Sequence, residues 1–230
     1  TFNDAETVID SDFTNVTSVE TYQGNAGAST ITLGPLATAA GIVNVLTGAT
    51  TASTLNIPAT HTGDLVVTSQ IAGESILSNA AYAGKLTVKI TADLLDGGTI
   101  TAGAGTSDAF IITADGTDLA AADLNTVTKF ENFDVAHNGA LGAFGITSDN
   151  LQVATGKSLA WTATGMTSSA LTLSLTNESD TTSSQTVTLG GTGAHIVTLG
   201  NGNDTYSYTY SGTGTHGVQT IVATAGTNTI

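Results

Sequence analysis

GAGTSDAF (Gly103 to Phe110) and GNGNDTY (Gly200 to Tyr206) each set two glycines two residues apart, then an aspartate, then an aromatic two residues beyond it. Glycine admits the positive φ angles of a tight turn, and such a turn aims backbone carbonyls and the Asp carboxylate at a hard cation. The aromatic then opens a short buried strand. A third stretch, DGTD (Asp115 to Asp118), follows the apolar run FIITA and sets two carboxylates around a glycine. It either completes a cation pocket with Asp108 or is a plain turn, since Gly and Asp are also the ordinary turn residues. The candidate metal ligands are therefore Gly103, Gly105, Asp108, Asp115, Asp118, Gly200, Gly202 and Asp204.

These stretches resemble the glycine- and aspartate-rich nonapeptide of RTX proteins, GGxGxDxUx. The resemblance implies Ca2+ held between stacked turns of a parallel β-roll, export by a type I route, and an extracellular, cell-surface location. The pattern departs from the family in three places. Leu199 stands where GNGNDTY needs its first glycine, and an extra residue precedes Asp108. GGTGAHIVT (Gly190 to Thr198) lies in phase but carries His195 at the aspartate position.

Other chemistries find little support. The histidines, His61, His137, His195 and His216, show no HExxH spacing, and no GxSxG nucleophile elbow is present. A GxGxxG match at Gly212 to Gly217 has no helical pattern behind it. Zero cysteines exclude disulfides, thiolate metal sites and a Cys nucleophile. There is no arginine, and Lys85 with Lys89 is the one close pair of bases, which weakens a polysaccharide-acting enzyme on a β-helix. No enzyme is expected.

The elements that must position these residues are β-strands. Thr is about a fifth of the chain, aromatics are 5%, and there are 27 glycines against 2 prolines. Thr and Val suit the pleated, half-buried surface of a strand. Short β runs are predicted at Ser29 to Leu33, Ile42 to Leu46, Asp64 to Thr68, Lys85 to Ile90, Gly98 to Ala102 and Asp108 to Thr113. Others fall at Leu159 to Thr164, Leu171 to Thr176, Thr186 to Leu189, Ile196 to Leu199 and Thr220 to Thr224. A helical turn is expected within Asp118 to Asn125 and within Gly73 to Ala83. Thr-x-Thr triplets recur at Thr30/Thr32, Thr99/Thr101, Thr162/Thr164 and Thr186/Thr188. A regular Thr ladder would resemble an ice-binding face, but the linear spacing of the triplets is irregular.

DFTNVTSVETY (Asp12 to Tyr22) aligns without gaps to DLNTVTKFENF (Asp123 to Phe133), 111 residues later. The pairs Asp12/Glu20 and Asp123/Glu131 either ligate calcium or are structural. The structural reading is favoured, with Asp12 and Asp123 capping short helical turns by accepting backbone N–H bonds and Glu20 and Glu131 facing solvent. The repeat divides the chain into units at 1–108 and 109–204, with a partial further coil at 205–230. The expected fold is all-β: a parallel β-solenoid of β-roll or β-helix type with Gly/Asp turns, the alternative being β-sandwich repeats.

A formal charge of −15, from 19 acids against 4 lysines, excludes a nucleic-acid partner, which needs Lys and Arg at phosphates. No apolar run is long enough for a membrane helix. The chain opens at Thr1 without an initiator Met, as expected of a fragment or a processed product. Together these features point to a structural, self-assembling surface protein of S-layer, sheath or filament type. Its partners would be copies of itself in a lattice or filament, stabilised by calcium. The alternative is an adhesin module of a giant secreted protein, with a cell-surface glycan as partner.

Overall fold

The computed structural model describes residues 6–24, 27–114, 117–137, 143–148, 158–164, 166, 170–177, 179–210, 217–223 and 225–230. The fold is an all-β parallel β-solenoid of about eight turns. It forms two compact units, Thr1–Phe110 with Thr126–Phe130, and Ile111–Asn125 with Glu131–Ile230.

In the first unit the strands are β1 (Thr7–Val8), β2 (Thr21–Gln23), β3 (Thr30–Thr32), β4 (Asn44–Leu46), β5 (Thr54–Ile57) and β6 (Leu65–Thr68). They continue as β7 (Ser75–Ser78), β8 (Leu86–Thr91) and β9 (Ile100–Thr101). β10 (Ala109–Ala114), most of which belongs to the second unit, and β11 (Val127–Thr128), in the first, follow along the chain. Odd and even strands fall on different sheets. β1-β3-β5-β7-β9-β11 form one sheet, and β2-β4-β6-β8 run side by side in another. Every strand pair among the described residues is parallel, so these strands are not paired in the antiparallel hairpins of a sandwich.

Register explains the core. On the first sheet the inward column runs Val8, Ile31, Leu55, Ile76, Ile100 and Val127, each 5% exposed or less. Opposite it stand Tyr22, Val45, Val67 and Val88. These slender side chains let short strands bury one face with few aromatics. The outward columns of the first sheet are uncharged and, save for Leu77, polar. One runs Thr7, Thr30, Thr54, Ser75, and the other Thr32, Asn56, Leu77, Thr101, Thr128. Thr30/Thr32 and Thr99/Thr101 thus lie on one regular face, despite their uneven spacing in the sequence.

In the second unit β12 (Asn132–His137), β14 (Ser158–Ala163), β16 (Ser184–Gly191) and β18 (Thr205–Tyr210) form one sheet. Its inward column is bulkier: Phe133, Trp161, Val187, Tyr206. β13 (Phe144–Thr147), β15 (Leu171–Ser174), β17 (Ile196–Leu199) and β19 (Thr220–Ala223) form the other, with Ile146, Leu173, Val197 and Ile221 in register. Coil length varies: Asn132 pairs with Ala160, 28 residues on, whereas Thr186 pairs with Thr205, 19 residues on. The difference is taken up in the corners.

Among the described residues helical structure is confined to corners. α1 (Pro35–Ala40) begins with Pro at its first position and ends at Gly41 with φ 97°, the left-handed stop that glycine permits. α2 (Ala121–Leu124) is the helical turn expected within 118–125. The turn expected within 73–83 is instead β7 and its corner, because Ile76 pairs with Leu55 and Ile100. At the two halves of the 111-residue repeat, Asp12 accepts the N–H of Ile9 and Asp123 that of Ala120. Six residues after each aspartate, Ser18 and Lys129 share the left-handed conformation at φ 59° and 67°.

Candidate functional site

The aspartates of the two glycine turns are buried, Asp108 fully and Asp204 to within 1%. Each carboxylate reaches back to the preceding coil. Asp108 Oδ1 accepts the N–H of Leu86 at 2.7 Å, and Asp204 Oδ1 accepts that of Gln185 at 2.9 Å. Glycine makes the approach possible. A Cβ on Gly105 would come within 2.8 Å of Asp108 Oδ1. Gly202 has φ 108°, and a Cβ there would lie 2.2 Å from the Ser183 carbonyl oxygen.

His195, at the aspartate position of the third nonapeptide-like stretch, occupies the same role. Its Nδ1 accepts the N–H of Leu171 at 3.0 Å, 24 residues earlier. Since Nδ1 accepts, the ring proton sits on Nε2, which lies 3.2 Å from the Gly190 carbonyl and donates to it. The contacts then propagate: the N–H of His195 goes to Gln219 Oε1, and that of Asp204 to Asn228 Oδ1. Two ladders result, Leu171–His195–Gln219 and Gln185–Asp204–Asn228, in which each side chain satisfies the backbone of the coil before it. Such bonds answer the requirement that buried backbone donors be paired.

Burial sets the electrostatics. It raises the carboxyls of Asp108 and Asp204 above their ordinary values, against the N–H bonds they accept. It lowers the His195 imidazole, against its bond to Gly190. Asp204 Oδ2 is buried with no hydrogen-bond partner among the described residues, as are the Gln185 Nε2 and Tyr206 hydroxyl groups. A buried carboxylate oxygen without a donor is an unmet demand for positive charge.

The remaining candidates are dispersed. Gly103 donates its N–H to Asp108, and Gly200 and Gly202 are buried in the turn before Asp204. Asp118 belongs to the second unit, where its Oδ1 accepts the N–H of Gly145 at 2.6 Å. Asp115 lies outside the described residues, as does His216. Among the described residues no group of three or more His, Asp or Glu stands close enough to hold a metal. A cation at Asp204 would thus draw its other ligands from carbonyls. No helix among them is long and apolar enough to cross a membrane.

Sequence reasoning missed two buried groups. Glu74, 3% exposed, accepts from the hydroxyls of Thr47 and Ser69, and burial raises its carboxyl. His61 is 1% exposed, with Nδ1 2.9 Å from Thr38 Oγ1. A lone Glu or His between small residues carries no signal in the sequence; both were placed by neighbouring coils. Comparison with protein-family models, curated proteins and solved structures finds no match to this chain.

Proposed function

We propose that this chain is a structural, self-assembling cell-surface protein of S-layer, sheath or filament type, with Ca2+ stabilising its glycine turns. The observation that carries the calcium part is the buried, unpartnered Oδ2 of Asp204 beside the Gly200–Gly202 turn. A hard cation there would neutralise a carboxylate that burial otherwise penalises, and the turn carbonyls are the ligand type calcium takes. The parallel coils, the charge of −15 and the uncharged outer face of the six-stranded sheet support a scaffold rather than a catalyst. Acidic corners keep copies apart until a divalent cation screens them. An extracellular location follows from the same need, since calcium at the required level is available outside the cell.

Negative-stain electron microscopy of the purified chain, with millimolar calcium and with EGTA, tests this. Sheets, tubes or filaments that appear with calcium and disperse with EGTA are the expected result. Monodisperse particles in both conditions overturn it.

A further inference from the structure

We propose that the outer face of the six-stranded sheet in the first unit binds ice, its in-register hydroxyls continuing the water lattice of a growing crystal. Parallel pairing places equivalent residues of successive coils about 4.8 Å apart, and outward residues of one strand roughly 6.6 Å apart along it. These two repeats approximate the oxygen spacings on a prism face of hexagonal ice. The register is observed, Thr30 on Thr54 on Ser75 in one column and Leu77 on Thr101 on Thr128 in the other.

Three further features fit an ice lattice better than a protein partner. The side chains are mostly Thr, stiff at χ1, so hydroxyl and methyl are held in place rather than ordered on contact. Among the described residues the hydroxyls of Thr30, Thr32, Thr54 and Ser75 bond to no protein group, and Thr128 donates to Thr101 at 3.1 Å, along the column itself. No charged residue interrupts either column, although the chain carries −15. A carboxylate or ammonium would hold its own hydration shell against the lattice.

Two of the other faces carry charge, whereas the β13-β15-β17-β19 sheet presents an uncharged but shorter column, Thr147–Ser174–Thr198–Val222. In the first unit the β2-β4-β6-β8 sheet carries Lys89 on its outer side, paired with Thr68. In the second unit the column Thr162–Thr188–Ser207 meets Asp134 at β12. With one or two outward residues on each of its six strands, the face spans roughly 24 Å by 7 Å between its outermost positions, small for a stable protein interface, which buries about 800 Å² per partner. A crystal needs no such area, because each hydroxyl it engages is held by the whole lattice.

The test uses the full chain in EGTA, which separates it from calcium-dependent assembly: thermal hysteresis, and capture of fluorescently labelled protein by a growing ice hemisphere. Wild type is expected to show both. Thr30→Lys with Thr101→Lys should lose most of the hysteresis while the circular-dichroism melt stays put. Leu77→Thr, which completes a column, should raise it. Wild type excluded from the ice front overturns the proposal, as does a lysine pair that binds like wild type. Exclusion with a dimer in sedimentation that the lysine pair disperses would reassign the face to a second copy.

Discussion

His195 and Asp204 do the same work with different chemistry: each accepts a backbone N–H from the preceding coil, that of Leu171 at 3.0 Å and that of Gln185 at 2.9 Å. One is a neutral ring held neutral by burial, and the other a carboxylate that burial makes easier to protonate. Their responses to pH are therefore opposite in sign.

Protonating His195 puts an N–H where Leu171 already points one, so the folded coil resists it. The unfolded chain, with a His value of about 6.5, takes the proton first. The stability this coil draws from neutral His195 is intact above that value and falls as pH drops through it. The protection of the Leu171 amide against hydrogen exchange, relative to its intrinsic rate at each pH, should fall on acidification from neutral pH. His195→Asp, which installs the acceptor found at the other two turns, should abolish the step. An unchanged Leu171 protection factor in wild type would refute the linkage.

Asp204, Asp108 and Glu74 run the other way, since folding raises their values. Their contribution is fully present below the ordinary carboxyl value, about 4, and is lost as pH rises from there through their raised folded values. Without calcium, Asp204→Asn should raise the urea midpoint at neutral pH, because an amide oxygen still serves Gln185 and the buried charge is gone. Asp204→Ala should lose about 2 kcal/mol with the acceptor. Added calcium should raise the melting temperature of wild type and leave Asp204→Asn unmoved.

Ser18 and Lys129 hold the left-handed conformation that a Cβ disfavours, at equivalent positions of the repeat. Glycine at either site should stabilise the fold by about 0.5–1 kcal/mol, net of its greater freedom in the unfolded chain. Alanine should give no such gain. Chemical denaturation of the single variants decides the matter, and a loss on substitution to glycine would mean the side chains contribute contacts that outweigh the strain.

Trp161 stacks on Phe133 at 4.7 Å between ring centroids and donates its Nε1–H to Gln185 Oε1 at 2.9 Å. Trp161→Phe keeps the apolar bulk but strands the Gln185 oxygen, and should lose about 1–3 kcal/mol. Trp161→Ala should lose about 3–5 kcal/mol through the cavity as well. Similar losses in the two would show that packing contributes little beyond the hydrogen bond.

Much of this architecture was legible in the residues. Runs such as Lys85 to Ile90 and Leu171 to Thr176 alternate small apolar and polar side chains, and each contains a strand. Asp12 and Asp123 announced their capped turns by type and spacing. The strand at Ser75–Ser78 was not legible, because four residues of weak local preference become a strand only when β5 and β9 supply its hydrogen bonds.

What the sequence by itself determined is the kind of coil: slender apolar side chains alternating with Thr, turned by Gly and Asp, carrying many acids and almost no bases. Which coil residues become neighbours was decided by the tertiary structure. Corners absorb coils of unequal length, so unevenly spaced Thr triplets arrive in one register. Asp108 and Asp204 meet a backbone N–H of the coil before them, and His195 stands in for an aspartate. The physical reason is that a parallel solenoid places each coil against residues some 19 to 28 positions away, and local preference cannot see that far.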